Sequence, residues 1–148
     1  VRSREFILEE TFMSSIGQTA SISKTSLWAG RILSALAVLL FVVTGLFSLL
    51  KPEIAAQGAA RYGYPDGAMA RIALVEIACG IVYAIPQTSV LGAILLTGYL
   101  GGATATHVRA GEPFFLPIVV GIVVWLGLFL REERLRALVP LRSPKATW

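Results

Sequence analysis

Apolar residues in this chain fall in long blocks, not in the spaced stripe of a soluble amphipathic helix. A bilayer core of roughly 30 Å needs about 20 apolar residues per helix, and the first block, residues 27–50, meets that length. Trp28 and Arg31 stand at its start, suited to the headgroups, and Lys51-Pro52 closes it. A second span is predicted over 69–85, short and closed by Pro86. A third runs over 88–109, closed by Gly111 and Pro113, and a fourth over 114–130, with Trp125 inside and Arg131 at its exit. Only Pro86-Gln87 separates the second and third. The expected fold class is therefore all-α: a four-helix transmembrane bundle with a tight hairpin between helices 2 and 3. Between the first two spans, residues 53–61 suit a short interfacial helix, and Tyr62-Gly63-Tyr64-Pro65-Asp66-Gly67 reads as a turn.

Composition agrees. Of 148 residues, 55% are hydrophobic and 15% charged, against about 25% charged in a soluble domain. The formal net charge is +4, but the basic residues gather at helix ends, so a nucleic-acid partner is discounted and the bilayer is the expected surrounding. With four spans both termini share a side. Arg2, Arg4, Lys24, Arg31, Arg131, Arg134, Arg136, Arg142 and Lys145 lie there, against Lys51, Arg61, Arg71 and Arg109 opposite. That bias places both termini on the cytoplasmic side, and the expected location is a bacterial-type inner membrane. Cys79 is the single cysteine, which excludes an intrachain disulfide, and no metal site is expected. Residues 1–26 read as a poorly ordered tail, 27–141 as the membrane domain and 142–148 as a C-terminal tail. Residue 1 is valine, so the start is either an alternative codon or a fragment end, with Met13 an alternative start; the tail does not read as a cleaved signal peptide.

Polar residues inside the spans are the candidate chemistry. An acidic residue at the centre of a span costs on the order of 2.5–3.5 kcal/mol, so Glu76 is expected to face protein. Cys79, Gly80 and Tyr83 share its helical stripe. Folding about Pro86-Gln87 brings Glu76 to the depth of 97–99 on the third helix, where Tyr99, Gly102, Ala103 and Thr106 form one face with His107 at its margin. Glu76, Tyr99, His107 and Arg109 are the candidates for ligand binding or proton transfer, with Lys51 at the same membrane level. Gly98 and Gly102 form a GxxxG pair suited to close helix packing, or to a homodimer surface. Each has a structural alternative: Glu76 as a packing hydrogen-bonder, His107 as an interfacial side chain, Arg109 as a snorkelling anchor. The run 131–136 reads as a solvated helix extension with paired charges.

The stretch Thr97-Gly98-Tyr99-Leu100-Gly101-Gly102-Ala103-Thr104-Ala105-Thr106-His107-Val108-Arg109, followed by Gly111-Glu112-Pro113, resembles the GYLGGAxATHxRxGxP signature of DoxX-like membrane proteins. Gly63-Tyr64-Pro65, Glu76, Ile85-Pro86-Gln87-Thr88 and Trp125 with Leu130-Arg131 agree with it. One position departs: relatives often carry a lysine three residues after the first-helix glycine, and here Ser48 follows Gly45, so Glu76 lacks that cation. The resemblance implies a four-helix bundle and an association with membrane redox chemistry, with a quinone as candidate cofactor. The expected role is a small-ligand-binding or accessory subunit with a membrane redox partner, not an autonomous enzyme, because the chain has no paired thiols, metal ligands or nucleotide loop to carry electrons. The alternatives are a proton-coupled transporter of a small solute and a structural membrane partner without a site.

Overall fold

A computed structural model describes residues 23–138, and the described residues form helices without strands. Helix α1 spans Lys24–Leu50, α2 Pro52–Arg61, α3 Ala68–Ala84, α4 Ser89–Arg109, α5 Phe115–Arg131 and α6 Glu133–Leu138, with a 3-10 turn at Pro86–Thr88. The start of α1 corrects the expected boundary at residue 27. Ser23 is the N-cap: its side chain accepts a hydrogen bond from the Ser26 N–H at 3.2 Å, so Lys24, Thr25 and Ser26 are helical. The rest of the expected N-terminal tail, with Met13, and the expected C-terminal tail lie outside the described residues.

Helix α1 packs against α3 and α5, and α4 packs against the same two. The α3–α4 connection is short because Pro86 opens a single 3-10 turn, closed when the Thr88 hydroxyl donates to Val82 O at 2.8 Å. At one end the α2–α3 connection meets the α4–α5 connection through Tyr62 and Glu112, and the last turn of α4 through Tyr64 and Thr106. At the other end the Ser26 hydroxyl of α1 donates to Leu130 O of α5 at 3.2 Å.

The interior is built from Ala37, Phe41, Cys79, Tyr83, Ala93, Leu96, Leu100, Val124 and Leu128. Tyr83 is fully buried; its hydroxyl lies 3.0 Å from Ser34 Oγ and donates to Val124 O at 2.8 Å, tying three helices together. Outward, the chain is as greasy as it is inside: Leu36, Leu74, Leu91 and Ile122 are all more than half exposed. Helices apolar on every side are covered by lipid or protein, not water. By length and composition Lys24–Leu50 and Pro86–Arg109 can each cross a membrane, and Phe115–Arg131 is apolar but only 17 residues long.

The exit of α5 differs from the expected continuous extension. Glu132 is extended (φ −117°, ψ 107°) and α6 starts afresh at Glu133. Arg136 turns back instead, donating to Phe129 O at 2.8 Å, to Leu130 O at 3.1 Å and to Ser26 Oγ at 2.6 Å. Those carbonyls have no partner within α5, and a guanidinium satisfies them better than water at an apolar helix end.

Candidate functional site

A cavity of about 390 Å³ opens between α3 and α4 toward the α2–α3 connection. Its walls are Met69 and Ile72 of α3, Gly98, Tyr99, Gly102, Ala103, Thr106 and His107 of α4, and Tyr62 and Tyr64 from the connection. Two candidates from the sequence, Tyr99 and His107, therefore share one space. Gly98 and Gly102 share it too. A side chain at either would meet nothing within 4 Å, so within this chain they are cavity wall, not the expected close-packing pair. The tight approach falls six residues before Gly98, at Gly92 against the Tyr83 backbone.

Glu76 lies behind this wall. It is buried, at 8% exposure, with two hydroxyls acting on it. Thr44 Oγ1 of α1 lies 2.5 Å from its Oε1, and the Tyr99 phenol also interacts with the carboxyl. The Tyr99 ring is held edge-on to Phe41, 6.2 Å between centroids. Ser48 donates its hydroxyl to Thr44 O at 3.1 Å on its own helix. Lys51 stands at the α1–α2 junction, where its backbone N–H bonds Phe47 O. Thr44 is thus a site residue that sequence reasoning missed; its signal is a lone threonine within the apolar run 41–47.

At the mouth, Glu112 gathers the polar side chains. It pairs with Arg61, accepts from the Tyr62 hydroxyl at 2.7 Å, and has His107 Nδ1 3.6 Å from its Oε2. The hydrogen bond from Tyr62, with Arg61 beside it, holds the Glu112 carboxyl below the ordinary carboxylate range, and the same bond pushes the Tyr62 phenol up. His107 Nδ1 is buried without a hydrogen-bond partner among the described residues. Its ring meets Tyr62 edge-on at 5.6 Å. Arg109 does not line the cavity. It donates to Tyr62 O at 2.5 Å and covers the Tyr64 ring at 5.9 Å, which makes it a clasp on the connection. Glu112 was visible in the sequence only as part of the Gly111-Glu112-Pro113 ending, because nothing local reveals a contact made across fifty residues. No group of three or more His, Cys, Asp or Glu side chains that could hold a metal occurs among the described residues.

The sequence pattern of the DoxX-like family matches residues 32–128. This chain belongs to that family. The matched stretch includes Thr44, Glu76, the cavity wall and Glu112, so the DoxX-like core and the candidate site coincide. Its family and its apolar helices together make this DoxX-like chain a membrane protein. Curated proteins give no match, and neither do solved structures.

Proposed function

We propose that this DoxX-like protein crosses a bacterial-type cytoplasmic membrane four times with both termini cytoplasmic. In this reading its α3–α4 cavity binds the head of a small planar carbonyl compound of the quinone class, in the service of a membrane redox partner. The cavity carries the reading. At about 390 Å³ it falls in the range of roughly 300–1,000 Å³ typical of small-molecule sites. Aromatic and aliphatic walls converge there with a phenol and an imidazole. Both can donate hydrogen bonds to a carbonyl oxygen, which is the donor set a quinone head needs.

A quinone, when bound, supplies a two-electron, two-proton acceptor, and its electrons come from the partner. The protein's own residues bind, orient and carry protons. Met69 and Ile72 exclude water from the apolar side of the ligand. Tyr99 and His107 fix the orientation of its oxygens. Glu76, reached through the Tyr99 hydroxyl, holds a proton at its carboxyl that the phenol can relay to the cavity.

The test is retention and binding of quinone by protein purified in its native lipids. Quinone is expected in the lipid extract. Tyr99→Phe and His107→Ala are each expected to weaken binding of a short-chain benzoquinone about tenfold, the loss of one hydrogen bond worth about 1.4 kcal/mol. A quinone-free extract with unchanged binding in both variants refutes the reading. Glu76-dependent, pH-driven solute uptake in proteoliposomes assigns the site to proton-coupled transport instead. Variants that change folding yield alone leave a structural membrane partner.

A further inference from the structure

A second cleft lies at the opposite end of the protein from the cavity. It measures about 470 Å³ and follows α1 along Ala35, Val38, Leu39 and Val42, with Arg31 and Arg131 at its rim. Arg131 arrives from the end of α5. Its guanidinium lies 5.2 Å from the centre of the Tyr83 ring and donates to Tyr83 O at 3.4 Å. Arg31 lies 5.8 Å from the Trp28 ring, an aromatic type that favours the headgroup level. Aromatic rings thus hold both guanidiniums at the rim. Glu112 makes its ion pairs with Arg61 and His107 at the far end of the molecule. Glu132 shares a neighbouring recess with the two arginines, so that recess is lined by one acidic group against two basic ones.

Shape and charge together name the occupant. From Arg31 to Val42 the cleft runs about 16 Å along α1, at ~1.5 Å per residue. That is about half of a ~30 Å hydrocarbon core, the depth of one leaflet. An apolar trough one leaflet deep, with two guanidiniums at its headgroup end, fits an acyl chain joined to an anionic head. Basic recesses between helices are the usual seats of such heads, and guanidinium pairs with phosphate by charge-assisted, bidentate hydrogen bonds.

We propose that this cleft binds an anionic phospholipid from the leaflet on the side of the termini, with its phosphate between Arg31 and Arg131 and one acyl chain along α1. The proposal rests on the membrane-spanning reading and is independent of the quinone cavity. Native mass spectrometry of the full chain in detergent tests it, with phosphatidylglycerol titrated against phosphatidylcholine of the same acyl chains and with excess inorganic phosphate as competitor. Phosphatidylglycerol is expected to bind preferentially and to resist displacement by phosphate. Arg31→Gln, at an exposed position, is expected to lower its affinity about fivefold, from ~1 kcal/mol per arginine. Ala35→Trp fills the trough, keeps both charges, and is expected to lower binding as well. Equal binding of the two lipids, displacement by inorganic phosphate, or unchanged binding in both variants overturns the proposal. Release of the chain from membranes by alkaline carbonate overturns the membrane reading instead.

Discussion

Three alanine substitutions on α4 separate what the GxxxG spacing suggests from what the packing does. A Cβ on Gly92 would stand 2.3 Å from both the Cα and the N of Tyr83, whereas on Gly98 or Gly102 it meets nothing within 4 Å. The Tyr83 backbone cannot swing aside as a side chain can. Gly92→Ala therefore forces α3 and α4 apart by about 1.2–1.7 Å before carbon contacts reach their normal 3.5–4.0 Å. Overpacking of this kind costs about 1–3 kcal/mol, and a backbone clash belongs at the upper end. Alanine returns about 1 kcal/mol of helix propensity over glycine. The net expectation is a loss of about 2 kcal/mol for Gly92→Ala and a gain of up to about 1 kcal/mol for Gly98→Ala and Gly102→Ala. Thermal loss of the monodisperse species in detergent measures the order: Gly98→Ala and Gly102→Ala at or above the parent, Gly92→Ala well below it. The same two stable variants narrow the cavity and are expected to weaken its ligand. If Gly98→Ala or Gly102→Ala destabilises as much as Gly92→Ala, the motif is the true helix contact and the packing argument fails.

Two further outcomes follow from the polar contacts. Tyr83→Phe removes the hydroxyl that joins Ser34 to Val124 O; chemical denaturation should show a loss of about 1–3 kcal/mol, and the double variant with Ser34→Ala should lose less than the sum. For Glu112 the folded carboxyl titrates below its unfolded value. The clasp it makes on Tyr62 is therefore fully stabilising above the ordinary carboxylate range and is lost as pH falls through the folded value. Amide hydrogen exchange in 62–64 should rise on acidification once corrected for its intrinsic pH dependence, and Glu112→Gln should remove that dependence; an unchanged pH profile in the variant would show that another group holds the connection.

The helices were legible in the sequence because burial in an apolar medium leaves long unbroken blocks, and their ends because Pro86, Gly111 and Pro113 punctuate them. The juxtaposition of Glu76 with Tyr99 was legible as well, since the short connection over residues 85–88 limits the register between α3 and α4. Contacts that depend on how side chains turn were not. Gly98 and Gly102 have the spacing of a packing motif, yet a cavity lies against them, and only the neighbouring backbone decides whether a glycine is a contact or a gap. Arg136 reads as one charge of a solvated run, and its return to the carbonyls of α5 requires the break at Glu132, which no local signal marks. Arg109, a candidate for the site, was correctly placed at its end of α4, but its guanidinium serves the connection.

The absence of a first-helix lysine has a chemical resolution in Thr44. Its hydroxyl lies 2.5 Å from Glu76 Oε1 and 2.7 Å from Leu40 O. A hydroxyl has one proton to donate and can also accept. When Glu76 is ionised, Thr44 gives that proton to the carboxylate. When Glu76 is protonated, the acid donates to Thr44 Oγ1, and Thr44 passes its own proton to the Leu40 carbonyl. Each charge state then has a complete set of hydrogen bonds without any helix moving. A lysine at position 48 would favour the ionised form, because losing the charge on Glu76 would leave an ammonium unpaired in the bundle. With serine at position 48 and Thr44 beside Glu76, the carboxyl is not tied to a cation on α1 at that position, and the relay proposed from Glu76 through Tyr99 to the cavity needs a carboxyl of that kind.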